Sequence, residues 1–140
     1  GTVSIGSRCA IGPFTHVRGD SSVGDDVTLG NFVEVARSSV GAKSRAKHLA
    51  FIGDARIGGD ANIAAGVITA NSDGRRTYVT EIGDGAYIGA GTIIVAPGGV
   101  AANGVTGAGA VVTKKTNVPP GETWVGVPAR KLHKGGCSNG

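Results

Sequence analysis

Apolar residues recur at every sixth position over long stretches of this chain, and few folds can use such a step. Ile5, Ile11, Val17, Val23, Leu29 and Val35 form one series. Ile82, Ile88, Ile94, Val100, Thr106, Val112, Val118 and Trp124 form a second. Between them the phase slips through Val40, Ile52, Ile57 and Ile63. A helix repeats every 3.6 residues and a half-buried strand every two, so neither element produces this spacing. A coil with three flat faces does. Each face is a short strand and a turn, with one apolar side chain pointing inward. Gly and small residues take the turns, where φ is often positive. Three such faces make a coil, coils stack about 4.8 Å apart as parallel sheets, and the chain supplies roughly seven of them, a prism about 35 Å long. A β-sandwich with regular turns would not hold the register through so many consecutive positions. The expected fold is all-β, a parallel β-helix.

Composition agrees. Hydrophobic residues make up 40% of the 140, yet aromatics are 4% and Met is absent, so the core must be filled by many small branched side chains. The 26 glycines exceed the usual ~7%, but they do not recur every third residue, which excludes collagen. Val and Ile spread throughout argue against disorder. The formal charge of +4 suits an anionic small ligand. Nucleic acid is disfavoured, because the cations are not interleaved with aromatics and no zinc-finger or RNA-recognition pattern is present. Cys9 and Cys137 lie too far apart in sequence to read as a disulfide framework, so a reducing cytoplasm is expected. No apolar run approaches the ~18 residues of a membrane span, and no basic-then-apolar leader opens the chain. The first residue is Gly rather than Met, which hints at a longer parent.

Two segments break the rhythm, "ARSSVGAKSRAKH" at 36–48 and "ANSDGRRTYVTE" at 70–81. Both are basic, through Arg37, Lys43, Arg45 and Lys47 in the first and Arg75 and Arg76 in the second. Insertions in repeat proteins map to loops, and loops on a rigid scaffold are where sites are built. Both segments are therefore expected to leave the prism, the first delivering His48 to a cleft.

The motifs carry a resemblance. The six-residue pattern is similar to that of left-handed β-helix acyltransferases, and "GVPARKL" resembles the end of many of their helices. In addition, "GPFTHVRGD", "GNFVEV", "KHLAFIGDARIG", "NIAAGVITANSDG" and "IGDGAYIGAGTIIVAP" occur in the same order as in one subfamily. That subfamily is the acetyltransferase domain of the bifunctional glucosamine-1-phosphate acetyltransferase and N-acetylglucosamine-1-phosphate uridyltransferase. The left hand of the coil follows from the resemblance alone, since ordinary crossovers are right-handed. The resemblance also implies a homotrimer with acetyl-coenzyme A in clefts between prisms and no metal in the active site.

Residue by residue, the resemblance implies that His48 is the general base and Glu34 its support. Arg18 corresponds to a sugar-phosphate contact, and Asn62 and Asn71 to substrate-binding amides. Ala65, Ala90 and Ala108 fall where the family lines the acetyl-coenzyme A cleft. The departures are local. Ala36 stands where the family has Lys, with Arg37 following directly. Phe51 replaces a Tyr and so lacks its hydroxyl. Ser72, Thr77 and Ala90 replace a Tyr, a Lys and a Ser. Arg37 and Phe51 remain on the acceptor side, whereas Arg75 and Arg76 are candidates for the phosphates of coenzyme A. The uridyltransferase domain has no counterpart in this chain.

The chemistry is consistent with these residue types. An amine must lose a proton to attack a thioester, and a His with an ordinary pKa of ~6.5 can accept it. A carboxylate would fix the imidazole tautomer, and backbone N–H groups in Gly/Ala-rich coils would hold the oxyanion. No covalent intermediate is needed, so Cys9 reads as a structural thiol. Arg18 suits a phosphate because a guanidinium engages two oxygens at once. Gly-rich runs such as "GAGTII" lack the Lys and helix of a phosphate loop.

The expected activity is acetyl-CoA-dependent acetylation of an amino sugar, with a phosphorylated sugar as the acceptor. Alternatives are a related enzyme for another small amine or alcohol, and a non-catalytic β-helix scaffold. A zinc site of His16, His48 and His133, as in the carbonic anhydrase of similar architecture, is disfavoured by the wide spacing of the three. Residues 1–130 are expected to form the β-helix and 131–140 a flexible tail.

Overall fold

The computed structural model describes residues 1–133, which form 19 strands and no helix. The chain winds as a left-handed parallel β-helix. One face is a seven-stranded sheet that runs from Val3–Ile5 through Ser21–Val23, Ser39–Val40, Ala55–Ile57, Thr80–Ile82 and Gly98–Val100 to Asn117–Val118. The second and third faces join in one twelve-stranded sheet. They are joined because Thr28–Ala36 and Arg45–Gly53 run unbroken around the corner between them. Pairings along the prism are parallel, as in Val3 with Ser21 and Ile5 with Val23. The exceptions among the described residues are a closing hairpin, Thr123–Val125 against Arg130–Lys131, and a bridge between Ser72 and Thr77.

The inward columns are the six-residue series read from the sequence. On the first face Val23, Val40, Ile57, Ile82, Val100 and Val118 stack in register and are buried. Leu29, Ala46, Ile63, Ile88 and Thr106 do so on the second face, and Val35, Ile52, Ile94 and Val112 on the third. A core this narrow accepts small polar residues where their hydroxyls meet backbone groups. Thr106 takes the Gly89 N–H at 3.0 Å, and the Thr69 hydroxyl lies 3.0 Å from the Gly53 carbonyl. At the first coil Ile5 and Ile11 point the same way but are 48% and 38% exposed, because only one side of that coil is stacked.

Three expectations are corrected. Residues 36–48 do not leave the prism: Ser39–Val40 and Arg45–Gly53 are ordinary strands of it. The phase slips there because the same corner is one residue shorter in two successive coils, at Arg37–Ser38 and at Asp54–Ala55, so that Val23 pairs with Val40 and Val40 with Ile57, steps of 17 instead of the 18 between Ile5 and Val23. The genuine excursion lies within the other segment. Ile57 pairs with Ile82, a step of 25, and the surplus forms a small hairpin between Ile68–Ala70 and Thr80–Ile82. The second correction concerns the corners. Among the described residues eleven non-glycine residues adopt positive φ beside nine glycines, so most left-handed positions there are held by larger side chains. The third concerns the tail, since Lys131 pairs with Trp124 in the closing hairpin and belongs to the body. Cys137 and the rest of the expected tail, 134–140, lie outside the described residues.

Candidate active site

The corner between the second and third faces carries His48 and the three candidate alanines. Its left-handed position is filled in turn by Phe14, Phe32, Leu49, Gly66, Gly91 and Gly109. Hydrogen bonds from Phe32 N to Phe14 O and from Gly66 N to Leu49 O hold successive coils in line there. The residue just before each forms a second column. His48 pairs with Asn31, and the bonds from Gly91 N to Ala65 O and from Gly109 N to Ala90 O extend the column through Ala65, Ala90 and Ala108. His48 and the three alanines are all exposed. The corner thus changes character at His48. On one side bulky apolar residues project, with Phe14 and Phe32 stacked at 5.3 Å between centroids. On the other side only methyl groups and glycine backbone line the edge, and a long slender ligand can lie against it.

The third face holds Arg18, Glu34 and Phe51 on its outer surface. His16, Glu34 and Phe51 are register partners on three successive coils. Glu34 does not hydrogen-bond to His48. Its Oε2 accepts the Arg18 Nε–H at 2.6 Å, so the carboxylate expected to support the imidazole is instead held by the expected phosphate contact. Both groups are about half exposed, and an arriving anion could compete for Arg18. Between this face and the corner lies an open cleft of about 410 Å³, with Phe32, Leu49, Ala50, Phe51 and Ile68 on its walls and Glu34 at one side.

The corner between the third and first faces gathers a third group. Arg37 donates twice to Asp54, Nε–H to Oδ1 at 2.8 Å and Nη2–H to Oδ2 at 2.9 Å. Asn71 donates its amide to the same Oδ2 at 2.6 Å. The Arg37 hydrogen bonds hold the Asp54 carboxyl below the usual range against desolvation, which raises it, and Asn71 lowers it further. Asp54 therefore links two residues expected to touch the acceptor, and sequence reading passed it over. The signal was available: Arg37 and Asp54 sit at equivalent corners, 17 residues apart, the length of the shortened coil.

Three expected residues stand elsewhere. Asn62 lies on the outer second face, where Arg45 Nε–H reaches its Oδ1 at 3.4 Å. Arg75 and Arg76 ride on the excursion, whose turn is fastened by Asp73 Oδ1 accepting both of their N–H groups at 2.8 Å. These bonds, from Arg76 first and then Arg75, pull the Asp73 carboxyl below its ordinary range. Lys114 covers the Tyr78 ring of the same loop at 5.3 Å. Within one chain the loop is separated from the alanine column by the width of the third face, roughly 16 Å for five extended residues. Among the described residues no group of three or more His, Cys, Asp or Glu is placed to hold a metal ion.

Residues 2–37 match the family model described as bacterial transferase hexapeptide (six repeats). Among solved structures, PerB from Caulobacter crescentus, in complex with CoA and GDP-perosamine, superposes with a TM-score of 0.79 at 24% identity, covering 89% of this chain and 57% of that one. A variant of AntD, an N-acyltransferase from Bacillus cereus in complex with dTDP and coenzyme A, gives 0.81 at 18% identity, covering 92% and 81%. The chain is a left-handed β-helix built on a six-residue repeat, the fold of these acyltransferase structures.

Within that class its sequence stands close to the bifunctional protein GlmU. It is 44% identical to the Synechococcus sp. (strain CC9311) protein over 132 residues, 94% of this chain and 28% of that one. The protein of Aquifex aeolicus (strain VF5) is 41% identical over 131 residues, again 94% and 28%. The resemblance read from the ordered motifs is borne out over nearly the whole chain, and the chain spans less than a third of the length of these relatives.

Proposed function

We propose that this chain is an acetyl-CoA-dependent N-acetyltransferase for an amino sugar, a cytoplasmic enzyme with His48 as general base. The observation that carries the reading is the corner column, in which His48 ends a track of exposed alanines and glycines. Coenzyme A laid along Ala65, Ala90 and Ala108 brings its thioester to the imidazole. The acceptor amine approaches over the third face, and His48 accepts its proton as the nitrogen attacks the carbonyl carbon. The C–S bond then breaks, and the thiolate leaves with the proton returned by the imidazolium. Backbone N–H groups near the corner stabilise the oxyanion, where no side chain obstructs them. Arg18 and Glu34 exchange partners when an anionic sugar binds, which frees the carboxylate to turn toward His48.

The proposed assembly is a homotrimer. A neighbouring prism set against the His48 corner would bring its own excursion, with Arg75 and Arg76, toward the phosphates of coenzyme A. It would also cover Phe14, Phe32 and Leu49, which are 60–72% exposed in the single chain. The likeness to GlmU over nearly the whole chain supports the donor and the sugar class, and the PerB structure supports room for coenzyme A beside a sugar nucleotide on this fold.

The direct test is amine-dependent release of coenzyme A from acetyl-CoA with glucosamine-1-phosphate, comparing the chain with His48→Ala. Loss of ~10²–10⁴-fold in kcat in a variant that still binds acetyl-CoA is the expected result for a removed general base. Equal rates in the two proteins would remove His48 from the mechanism.

A further inference from the structure

Resting on that reading, we propose that Asp54 is a positioning residue that fixes the polarity of the acceptor site. It turns the Asn71 amide so that the carbonyl oxygen, and not the NH2 group, faces the sugar and receives one of its hydroxyl groups. Arg37, Asp54 and Asn71 stand 17 residues apart at one corner of three successive coils, so the carboxylate lies between a guanidinium on one side and an amide on the other. Arg37 donates to both carboxylate oxygens, at 2.8 and 2.9 Å, and Asn71 Nδ2–H donates to Oδ2 at 2.6 Å. The Arg37 hydrogen bonds keep this carboxyl below its ordinary range, so it is ionised and offers acceptors only. An amide set against such a group has one orientation open to it, NH2 inward and oxygen outward.

The outward oxygen is free and lies on the acceptor side. Among the described residues Asn71 Oδ1 has no partner, and the one enclosed side-chain N or O atom lacking a partner there is Thr80 Oγ1, so Asn71 Oδ1 is open to solvent. A methyl group built on Gly53 would lie 2.5 Å from the Phe51 Cζ and 2.8 Å from the Asn71 Nδ2. The bare Gly53 thus lets the amide lie beside the tip of the Phe51 ring, on the outer third face across which the acceptor reaches His48. Asp54 itself is 13% exposed with both oxygens engaged, so it acts through Asn71. Arg37 is 42% exposed and keeps three N–H groups without a partner among the described residues, which sets donors beside the Asn71 acceptor. Asn at position 54 would break this order without changing its size. It has one oxygen for three donors, and its own NH2 can face Asn71, so the Asn71 amide is no longer held one way.

The experiment measures kcat, KM for glucosamine-1-phosphate and KM for acetyl-CoA in the full chain, Asp54→Asn, Asn71→Leu and the exchange Asp54→Asn/Asn71→Asp, well below the lowest melting temperature of the four. The expected result is an acceptor KM raised roughly 10-fold in each single variant, the scale of one lost hydrogen bond. The KM for acetyl-CoA and kcat should stay near their native values, as when uniform binding is removed. In the exchange the amide introduced at 54 donates to the carboxylate introduced at 71, which again turns an oxygen outward, so the acceptor KM returns toward its native value. A native acceptor KM in Asp54→Asn or in Asn71→Leu overturns this proposal alone. So does an exchange that restores the melting temperature but not the KM, since Asp54 then only stabilises the corner. If Asp54→Asn does not fold, Asn71→Leu and the exchange carry the same test. No release with any amine from the folded native chain overturns the acetyltransferase reading and this proposal with it.

Discussion

Replacing Asp54 with Asn tests the corner between the third and first faces without changing its shape. In the native chain the Asp54 side chain is 13% exposed and meets a guanidinium that is 42% exposed. A hydrogen bond to a charged partner contributes about 1.5–3 kcal/mol when buried, but a solvent-screened pair contributes about 0–1. The half-open Arg37 places this pair between those limits, so Asp54→Asn should cost about 1–2 kcal/mol, a fall in Tm of roughly 3–8 °C for a chain of this size.

The cost should also depend on pH in a defined direction. The folded carboxyl titrates below its unfolded value of ~3.9, so its stabilisation is complete above that value and is lost as pH falls through the folded one. Thermal melts followed by far-ultraviolet circular dichroism, at pH 7 and in steps below pH 4, read both effects. The two melting temperatures should converge on acidification. Equal values at pH 7, or a gap that persists unchanged into the acid range, would refute the assignment of Asp54 as the anchor of Arg37 and Asn71.

Two other changes probe the scaffold. Gly30→Ala would place a methyl group on the Lys47 carbonyl oxygen, a backbone atom held by the Asn31–His48 pairing, and should cost about 3 kcal/mol or more in denaturant unfolding. Gly59→Ala, whose nearest neighbour is the Ala42 carbonyl at 3.3 Å, is the mild control. Asp73→Ala releases the N–H groups of Arg75 and Arg76, so trypsin should cut the excursion faster while Tm moves by no more than about 1–2 °C, as for other surface changes.

The coil was legible because one inward residue per face is a local property, and Val23, Leu29 and Ile88 announce it by spacing alone. The missing residue between Arg37 and Ser38 was not, because a shortened corner and an excursion disturb the period in the same way. Only pairing distinguishes them: Val23 meets Val40 directly. The positive φ of Phe32, Leu49 and Asp54 was hidden for a related reason. Stacking on the coil below holds a left-handed corner that such residues would otherwise avoid, at ~1–2 kcal/mol each. In the site, the common column of His48 and the alanines followed from residue types whose order the motifs preserve. The pairing of Arg18 with Glu34 did not, since two charges 16 residues apart become neighbours only once the coil length is known.

The 25-residue step between Ile57 and Ile82 has a consequence for how this molecule can diversify. The hairpin from Asn71 to Val79 leaves the prism and returns, and Thr80 still pairs with Ala55 as though nothing had been added. Stacked coils contact only their neighbours, so a corner can lengthen without disturbing any other part of the stack. Doubling a flexible loop costs only about 0.6 kcal/mol of closure entropy. The prism and the residues at this corner can therefore change on separate schedules. New ligand contacts can be tried in the hairpin while the columns of Val and Ile stay as they are.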